Sequence, residues 1–201
     1  MVGYSRSGIG GEMSVEVTRL ELQEVLLLKP AAHEDERGHF MELFRDDGYA
    51  KLGVKGPFPQ DNLSHSRRNV LRGLHYQYPT GQGKLITCVR GAVQDVAVDV
   101  RRGSPFFGKW VCVELSEENH HQLYIPPGFA HGFSVMSDVA DLIYKCTGTY
   151  VPAEDRGVHW ADADLAVDWS VSNPIISEKD AGLPFLKDVP GNLLPNYEDR
   201  D

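Results

Sequence analysis

From residue 84 onward the chain alternates short apolar runs with turn residues. "KLITCVRGAVQDVAVDVRRGSP" (84–105) reads as two β runs divided at Arg90-Gly91. "KWVCVEL" (109–115), "QLYIPP" (122–127), "GFSVMS" (132–137) and "DLIYKCTGTY" (141–150) follow, separated by Gly, Pro, Asn and Asp. Upstream, "VLLLKP" (25–30) predicts a strand that Pro30 ends, and "RDDGYAKLG" (45–53) is the best short helix of the first half. "SEKD" (177–180) predicts a helix start, with Ser177 as cap and Asp180 at the fourth place completing a capping-box-like arrangement. Many short strands and few helical periods predict a mainly β chain, an antiparallel sandwich or barrel with a few short helices. No internal repeat marks a solenoid or propeller.

Strand parity sharpens this. In "VQDVAVDV", Gln94, Val96, Val98 and Val100 share one face, and Asp95, Ala97 and Asp99 the other. In "LIYKCT", Leu142, Tyr144 and Cys146 share a face and Lys145 points away. If one such face lines a barrel interior, Tyr144 belongs there. The run "VLRGLHYQ" (70–77) poses a puzzle, because Arg72 and His75 would face opposite ways on a straight strand. If both serve one site, Gly73 is where a bulge or sharp bend is expected.

The chain has 201 residues, which suits one domain with a sizeable core. That domain is expected over 13–190, with 191–201 as a C-terminal tail forming a surface strap. The start, "MVGYSRSGIGGE" (1–12), is rich in Gly and Ser and lacks the apolar core of a signal peptide. It reads as a disordered extension or an expression scar, with Met13 a possible natural start. The formal charge of −9 argues against a broad nucleic-acid or anionic-membrane face, though a few arginines could still build a small anion site. No apolar run approaches the roughly 20 residues of a membrane span. Cys88, Cys112 and Cys146 each sit in an apolar run without a CxxC pair, so buried reduced thiols in a cytoplasmic protein are expected.

For chemistry, metal comes first. "PPGFAH" (126–131) has the Pro-x-Gly-x-x-His pattern of the second metal motif of cupin barrels. The matching first motif needs two histidines one residue apart, and His75-Tyr76-Gln77 has Gln at the second place. His75 and His131 supply fewer than the about three protein ligands a catalytic first-row metal wants, so no metal is expected. The adjacent histidines of "NHHQ" (119–122) read as a solvated turn. Taken singly, the other candidates have bland readings: His75 a packed core histidine, Asp180 a helix cap, Lys84 a loop lysine, Tyr144 a core tyrosine, Arg37 and Arg72 surface ion pairs.

Their company changes the weighing. "DERGHFMELF" (35–44), "QDNLSHS" (60–66), "VLRGLHYQ", "GQGKL" (81–85), "VRGAVQDVAVDVRRGSPFFGKW" (89–110), "YIPPGFAHGF" (124–133), "YKCT" (144–147), "VDW" (167–169) and "SEKD" occur in one order over nearly the whole chain. In that order and spacing the chain resembles the dTDP-4-dehydrorhamnose 3,5-epimerase family. The resemblance implies a cupin-like jelly-roll barrel, a homodimer, a dTDP-sugar substrate, and neither metal nor organic cofactor. By position, His75 matches the catalytic base, Asp180 its carboxylate partner, Tyr144 the general acid, and Lys84 the residue near the keto oxygen. Arg37, Glu42, Gln60, Asn62, Arg72, His131 and Lys179 match substrate-binding positions, and Phe40 and Tyr150 aromatic pocket positions. Asp155 falls where many members carry Glu.

The implied reaction makes sense of the set. Epimerisation beside a ketone removes a proton from one face of a carbon and returns one to the other, which takes a base and a separate acid across a pocket. A carboxylate on the base's other ring nitrogen fixes the tautomer and stabilises the imidazolium. A lysine near the enolate oxygen and forked arginines at a diphosphate complete the requirement. Two further readings stay inside or near the family: an enzyme inverting only C3 or only C5, and a metal-dependent cupin oxygenase or isomerase. A non-catalytic sugar-binding cupin is the third, and it leaves the acid facing the base without a purpose. An antiparallel barrel of this length also leaves strand edges to cover, and the segment 25–45 is long enough to cross to a partner chain.

Overall fold

The computed structural model describes residues 14–198, so the expectation for residues 1–12 lies outside the described residues. The strands are β1 (Val15–Arg19), β2 (Leu26–Pro30), β3 (His33–Asp35), β4 (Gly38–Phe40), β5 (Gln60–Arg67), β6 (Leu71–Gln77) and β7 (Lys84–Arg90). They continue as β8 (Ala92–Asp99), β9 (Trp110–Ser116), β10 (Gln122–Ile125), β11 (Phe129–Val135), β12 (Val139–Cys146) and β13 (Asp155–Gly157). Two short helices, α1 (Asp46–Lys51) and α2 (Glu178–Ala181), complete the regular elements used below.

Two antiparallel sheets face each other. One runs β1-β2-β10-β7-β12-β5 and the other β13-β6-β11-β8-β9, while β3 and β4 form a detached hairpin. This is the jelly-roll barrel of cupin type. The strands expected from the alternating pattern are present, with β7 and β8 separated at Gly91. There φ is +74° and a Cβ would lie 2.0 Å from the Val139 carbonyl oxygen. β11 begins earlier than the pattern predicts, taking in the "FAH" of residues 129–131. β1, the β3–β4 hairpin, β5 and β13 are elements that the hydrophobic pattern did not announce.

Both faces of each sheet are covered. Ile86, Cys88, Val93, Ala97, Leu123, Phe133 and Leu142 pack between the sheets. Outside the six-stranded sheet, Tyr49 and Val54 of the α1 region cover Leu26, Leu28, Leu85 and Tyr124. Outside the other sheet, Val158, Leu165, Leu186, Val189 and Leu194 cover Leu74, Val96, Val98 and Val100. The valine face of β8 therefore packs outward under the C-terminal segment, and the Asp95-Ala97 face lines the barrel. The tail beyond Pro190 is held by the Tyr76 hydroxyl on the Leu193 carbonyl at 3.1 Å and by backbone bonds between Arg102 and residues 195 and 197. Cys88 and Cys146 are buried thiols, but Cys112, on the edge strand β9, is exposed. Among the described residues no helix is long and apolar enough to cross a membrane.

Candidate active site

β6 and β11 are neighbours, and their register slips by one residue between two pairs. Phe133 lies opposite Arg72, and His131 opposite His75. Two residues on β11 thus span three on β6, and Arg72 and His75 come to the same face. Gly73 is the residue that absorbs the slip. Its φ is +116°, and a Cβ there would lie 2.6 Å from Gly132 Cα and 2.7 Å from the His131 carbonyl oxygen. The expected bulge is present, and it turns Arg72 and His75 into one cavity.

That cavity, about 600 Å3, is lined by Asn62, Ser64, Arg72, His75, Lys84, His131, Phe133, Tyr144, Cys146, Lys179 and Asp180, among others. His75 Nε2 lies 2.8 Å from Asp180 Oδ1. An ionised carboxylate only accepts, so Nε2–H donates and Nδ1 keeps the lone pair. The second carboxylate oxygen accepts the Gly73 N–H at 3.1 Å, so the bulge and the base share one anchor. Burial pushes the Asp180 carboxyl up. The bond and charge of His75, with smaller help from Gly73 and Ser177, outweigh that and hold it below the ordinary carboxylate value. Ser177 Oγ does cap α2, accepting the Asp180 N–H at 3.1 Å. The Asp180 carboxylate is turned toward His75 and Gly73 rather than back to the Ser177 backbone N–H, so the box is closed from one side only.

A second histidine–carboxylate pair stands beside the first. His131 Nε2 lies 2.9 and 3.0 Å from the two oxygens of Asp95, on β11 and β8. On the facing sheet, the Tyr144 ring meets the His131 ring edge-on at 6.0 Å, and its hydroxyl is 2.9 Å from Ser64 Oγ. Burial pushes the Tyr144 phenol up, and the Ser64 bond pulls the other way. Lys84 opens β7 in the same wall. Burial pushes its ammonium down, against the opposing pull of Cys146, Asp155 and Asp95. Cys146 Sγ accepts from the Asn62 amide at 3.6 Å.

The rim carries the other candidates. Arg72 Nε donates to Ser66 Oγ at 3.1 Å and Nη2 to the His65 carbonyl at 3.4 Å, which leaves Nη1 and the second Nη2 hydrogen for an anion. Lys179 pairs with Asp155, whose Oδ2 also accepts the Tyr150 hydroxyl at 2.7 Å. Burial pushes the Asp155 carboxyl up, and these two bonds reverse the direction. Gln60 Oε1 accepts the Tyr150 N–H at 2.8 Å. Arg37, Phe40 and Glu42 are elsewhere within the chain. Arg37 and Phe40 lie on the detached hairpin, Phe40 74% exposed and Arg37 paired with Asp35, and Glu42 follows it, 3.6 Å from Arg45.

Among the described residues no group of three or more His, Cys, Asp or Glu side chains is placed to hold a metal ion. His75 and His131 each give one ring nitrogen to a carboxylate, which suits proton transfer and hydrogen bonding. A larger groove of about 800 Å3 runs along Tyr78, Tyr124, Pro126 and Pro127; its lining includes Arg101, which is ion-paired with Glu24, and no histidine. Sequence reasoning missed Asp95, Ser64 and Ser66. The parity of "VQDVAVDV" placed Asp95 on a definite face, and "QDNLSHS" alternates; neither pattern shows which face turns inward.

The comparisons with known proteins agree with this geometry. A family model described as dTDP-4-dehydrorhamnose 3,5-epimerase matches residues 19–188. A protein of that name from Shigella flexneri is 50% identical over 168 residues, covering 83% of this chain and 93% of its own. A Streptomyces niveus protein named dTDP-4-dehydrorhamnose 3-epimerase is 40% identical over 181 residues, 89% of this chain and 87% of its own. Among solved structures, the dTDP-6-deoxy-D-glucose-3,5-epimerase of Legionella pneumophila in complex with dTDP-4-keto-L-rhamnose superposes with a TM-score of 0.89. It is 45% identical and covers 92% of this chain and 99% of that one. On these likenesses, the chain belongs to the dTDP-4-dehydrorhamnose 3,5-epimerase family.

Proposed function

We propose that the chain inverts C3 and C5 of dTDP-4-dehydro-6-deoxy-D-glucose, giving dTDP-4-dehydro-L-rhamnose. One observation carries this reading: His75, backed by Asp180 on one sheet, and Tyr144 on the facing sheet line a single cavity. His75 Nδ1 takes the proton beside the ketone, and Asp180 stabilises the imidazolium that results. Lys84 donates toward the enolate oxygen, and the lowering of its pKa by burial makes it the stronger hydrogen-bond acid. Tyr144 returns a proton to the opposite face of the carbon. Arg72 and Lys179 take the diphosphate, with Asn62, Gln60, His131, Tyr150 and Asp155 holding the rest of the substrate. That the Legionella relative is solved in complex with dTDP-4-keto-L-rhamnose supports a dTDP-sugar as the substrate.

Proton NMR of this substrate with the enzyme in deuterium oxide tests the reading. Exchange and inversion are expected at both C3 and C5. Inversion at C3 alone would favour the narrower activity that the Streptomyces relative's name describes. Absence of exchange at either carbon would refute the assignment. The reaction needs no metal in this reading, so exhaustive chelation leaves turnover unchanged; loss of turnover restored by a divalent ion would overturn that part.

The functional unit is a homodimer in this reading, working in the cytoplasm, where the three free thiols stay reduced. The exposed Arg37 and Phe40 hairpin, and Glu42 beside it, find a purpose if they cross to the partner's cavity along the edge strand β5. Sedimentation mass at micromolar concentration tests it. A monomer with undiminished activity would exclude the shared site.

A further inference from the structure

β5 carries a row of polar side chains on its inward face, and each rung holds a different group of the site. Gln60 accepts the Tyr150 N–H, Asn62 donates to Cys146, Ser64 meets the Tyr144 hydroxyl at 2.9 Å, and Ser66 accepts from Arg72 Nε. The residues between them, Asp61, Leu63 and His65, face outward and are exposed. Two of these rungs hold groups that bind substrate in the proposed reaction, Tyr150 and Arg72, and one meets the Cys146 thiol. The fourth touches the atom that must deliver a proton.

We infer that Ser64 is a positioning residue for Tyr144 and the path by which its phenol is reprotonated between turnovers. This rests on Tyr144 being the acid. A phenol has one hydrogen. If Tyr144 spends it on Ser64, none points at the substrate carbon; if Ser64 donates to Tyr144 Oη, the phenol hydrogen is free to face the cavity. The reaction therefore selects the arrangement in which Ser64 donates.

The same bond answers what happens next. After the transfer the substrate carbon holds the phenol proton, Tyr144 is a phenolate, and His75 is an imidazolium. The phenolate sits in a buried wall, where an unmatched negative charge is costly. Ser64 lines the same cavity and is half-buried, in reach of water entering it. Ser64 Oγ–H passes its proton to Tyr144 Oη while taking one from a water molecule. The hydroxide left behind is neutralised by the proton His75 releases to solvent. Protons and charge then balance, and the acid is ready for the second carbon.

The test compares Ser64→Ala, Ser64→Thr and Tyr144→Phe on the dTDP-4-keto sugar in deuterium oxide, reading wash-in and inversion separately. Wash-in at the first carbon reports abstraction by His75, which Ser64 does not touch. Ser64→Ala is expected to keep wash-in and to lose inversion by about tenfold, the factor an ordinary hydrogen bond carries. Ser64→Thr keeps the hydroxyl and is expected to restore most of it. In the Tyr144→Phe background, Ser64→Ala is expected to change nothing further, because there is no phenol to serve. If Ser64→Ala does not fold, Ser64→Cys, with its weaker donor, takes its place with the same expectation. A Ser64→Ala or Ser64→Cys enzyme whose ratio of inversion to wash-in equals wild type overturns the inference while leaving Tyr144 in place. A Tyr144→Phe enzyme that inverts at full rate overturns the acid assignment itself, and this inference with it.

Discussion

The two histidine–carboxylate pairs sit side by side and differ in almost everything except chemistry. His75 and His131 are register partners on adjacent strands, and each gives Nε2 to a carboxylate. The His75 side chain is 31% exposed and that of His131 6%. Asp180 reaches His75 from α2, far along the chain, and is also tied to the bulge at Gly73. Asp95 reaches His131 from the next strand and is fully buried. The first pair is open to substrate and solvent on one side, so it can gain and lose a proton. The second is almost wholly buried, with His131 lining the cavity and Asp95 behind it, and its hydrogen bonds tie β11 to β8. In the proposed reaction the same pair of residues moves a proton in one setting, and in the other it ties two strands together behind the cavity, and substitutions should separate the two.

The largest effect expected is on turnover. His75→Ala should abolish both deuterium wash-in and inversion at C3 and C5, since no carbanion forms. The Asp180 carboxylate retains the Gly73 N–H and can be reached by water through the half-open His75 side, so the thermal midpoint should move little. A variant that still exchanges protons with solvent would remove His75 from the base role and erase the contrast.

How much of that contrast the sequence carried is instructive. The strands between 84 and 146 were legible because apolar runs alternate with turn residues there. The bulge at Gly73 was legible because Arg72 and His75 could not share a face without it. β5 was not, because its inward face is Gln60, Asn62, Ser64 and Ser66, and a strand that lines a polar cavity carries no hydrophobic alternation. Parity put Asp95 on the β8 face opposite the valines, and those valines pack under the C-terminal segment. A period of two defines two faces and leaves open which one turns inward. The link between His75 and Asp180 spans 105 positions, and residue patterning alone has no access to it; the family resemblance supplied it.

The next effect is on stability. His131→Ala leaves Asp95 buried without its partner, and removing one member of a buried pair costs about 3 kcal/mol. For a domain of this size that lowers the thermal midpoint by on the order of 10 °C. Calorimetry of His131→Ala beside His75→Ala reads the difference directly. Equal midpoints would mean that the buried pair is no more structural than the open one.

Smaller again is the effect of changing the carboxylate of the open pair without changing its shape. Asp180→Asn can still accept from Gly73, and Ser177 still caps α2, so the fold should survive. The amide cannot stabilise an imidazolium, and turnover should fall by about 10²-fold, the low end for loss of acid–base assistance. Steady-state kinetics with a matched unfolding curve checks it. Unchanged turnover would leave Asp180 as an anchor for the bulge and nothing more.

The smallest effect is the pH dependence of that same carboxylate, and its sign follows from the direction of its shift. Burial raises the Asp180 pKa, His75 and the Gly73 N–H lower it further than burial raises it, and the folded value lies below the ordinary 3.8. A group with a depressed folded pKa stabilises the fold above its unfolded value and loses that contribution as pH falls through the folded one. Wild type should therefore be slightly more stable than Asp180→Asn at pH 7. The gap should stay constant down to about pH 4 and close below it. Denaturant midpoints for both proteins at pH 7, 5 and 3 measure the gap. A gap that widens toward pH 3 would mean that the open pair holds Asp180 protonated rather than ionised. The carboxylate would then be unable to stabilise an imidazolium on His75.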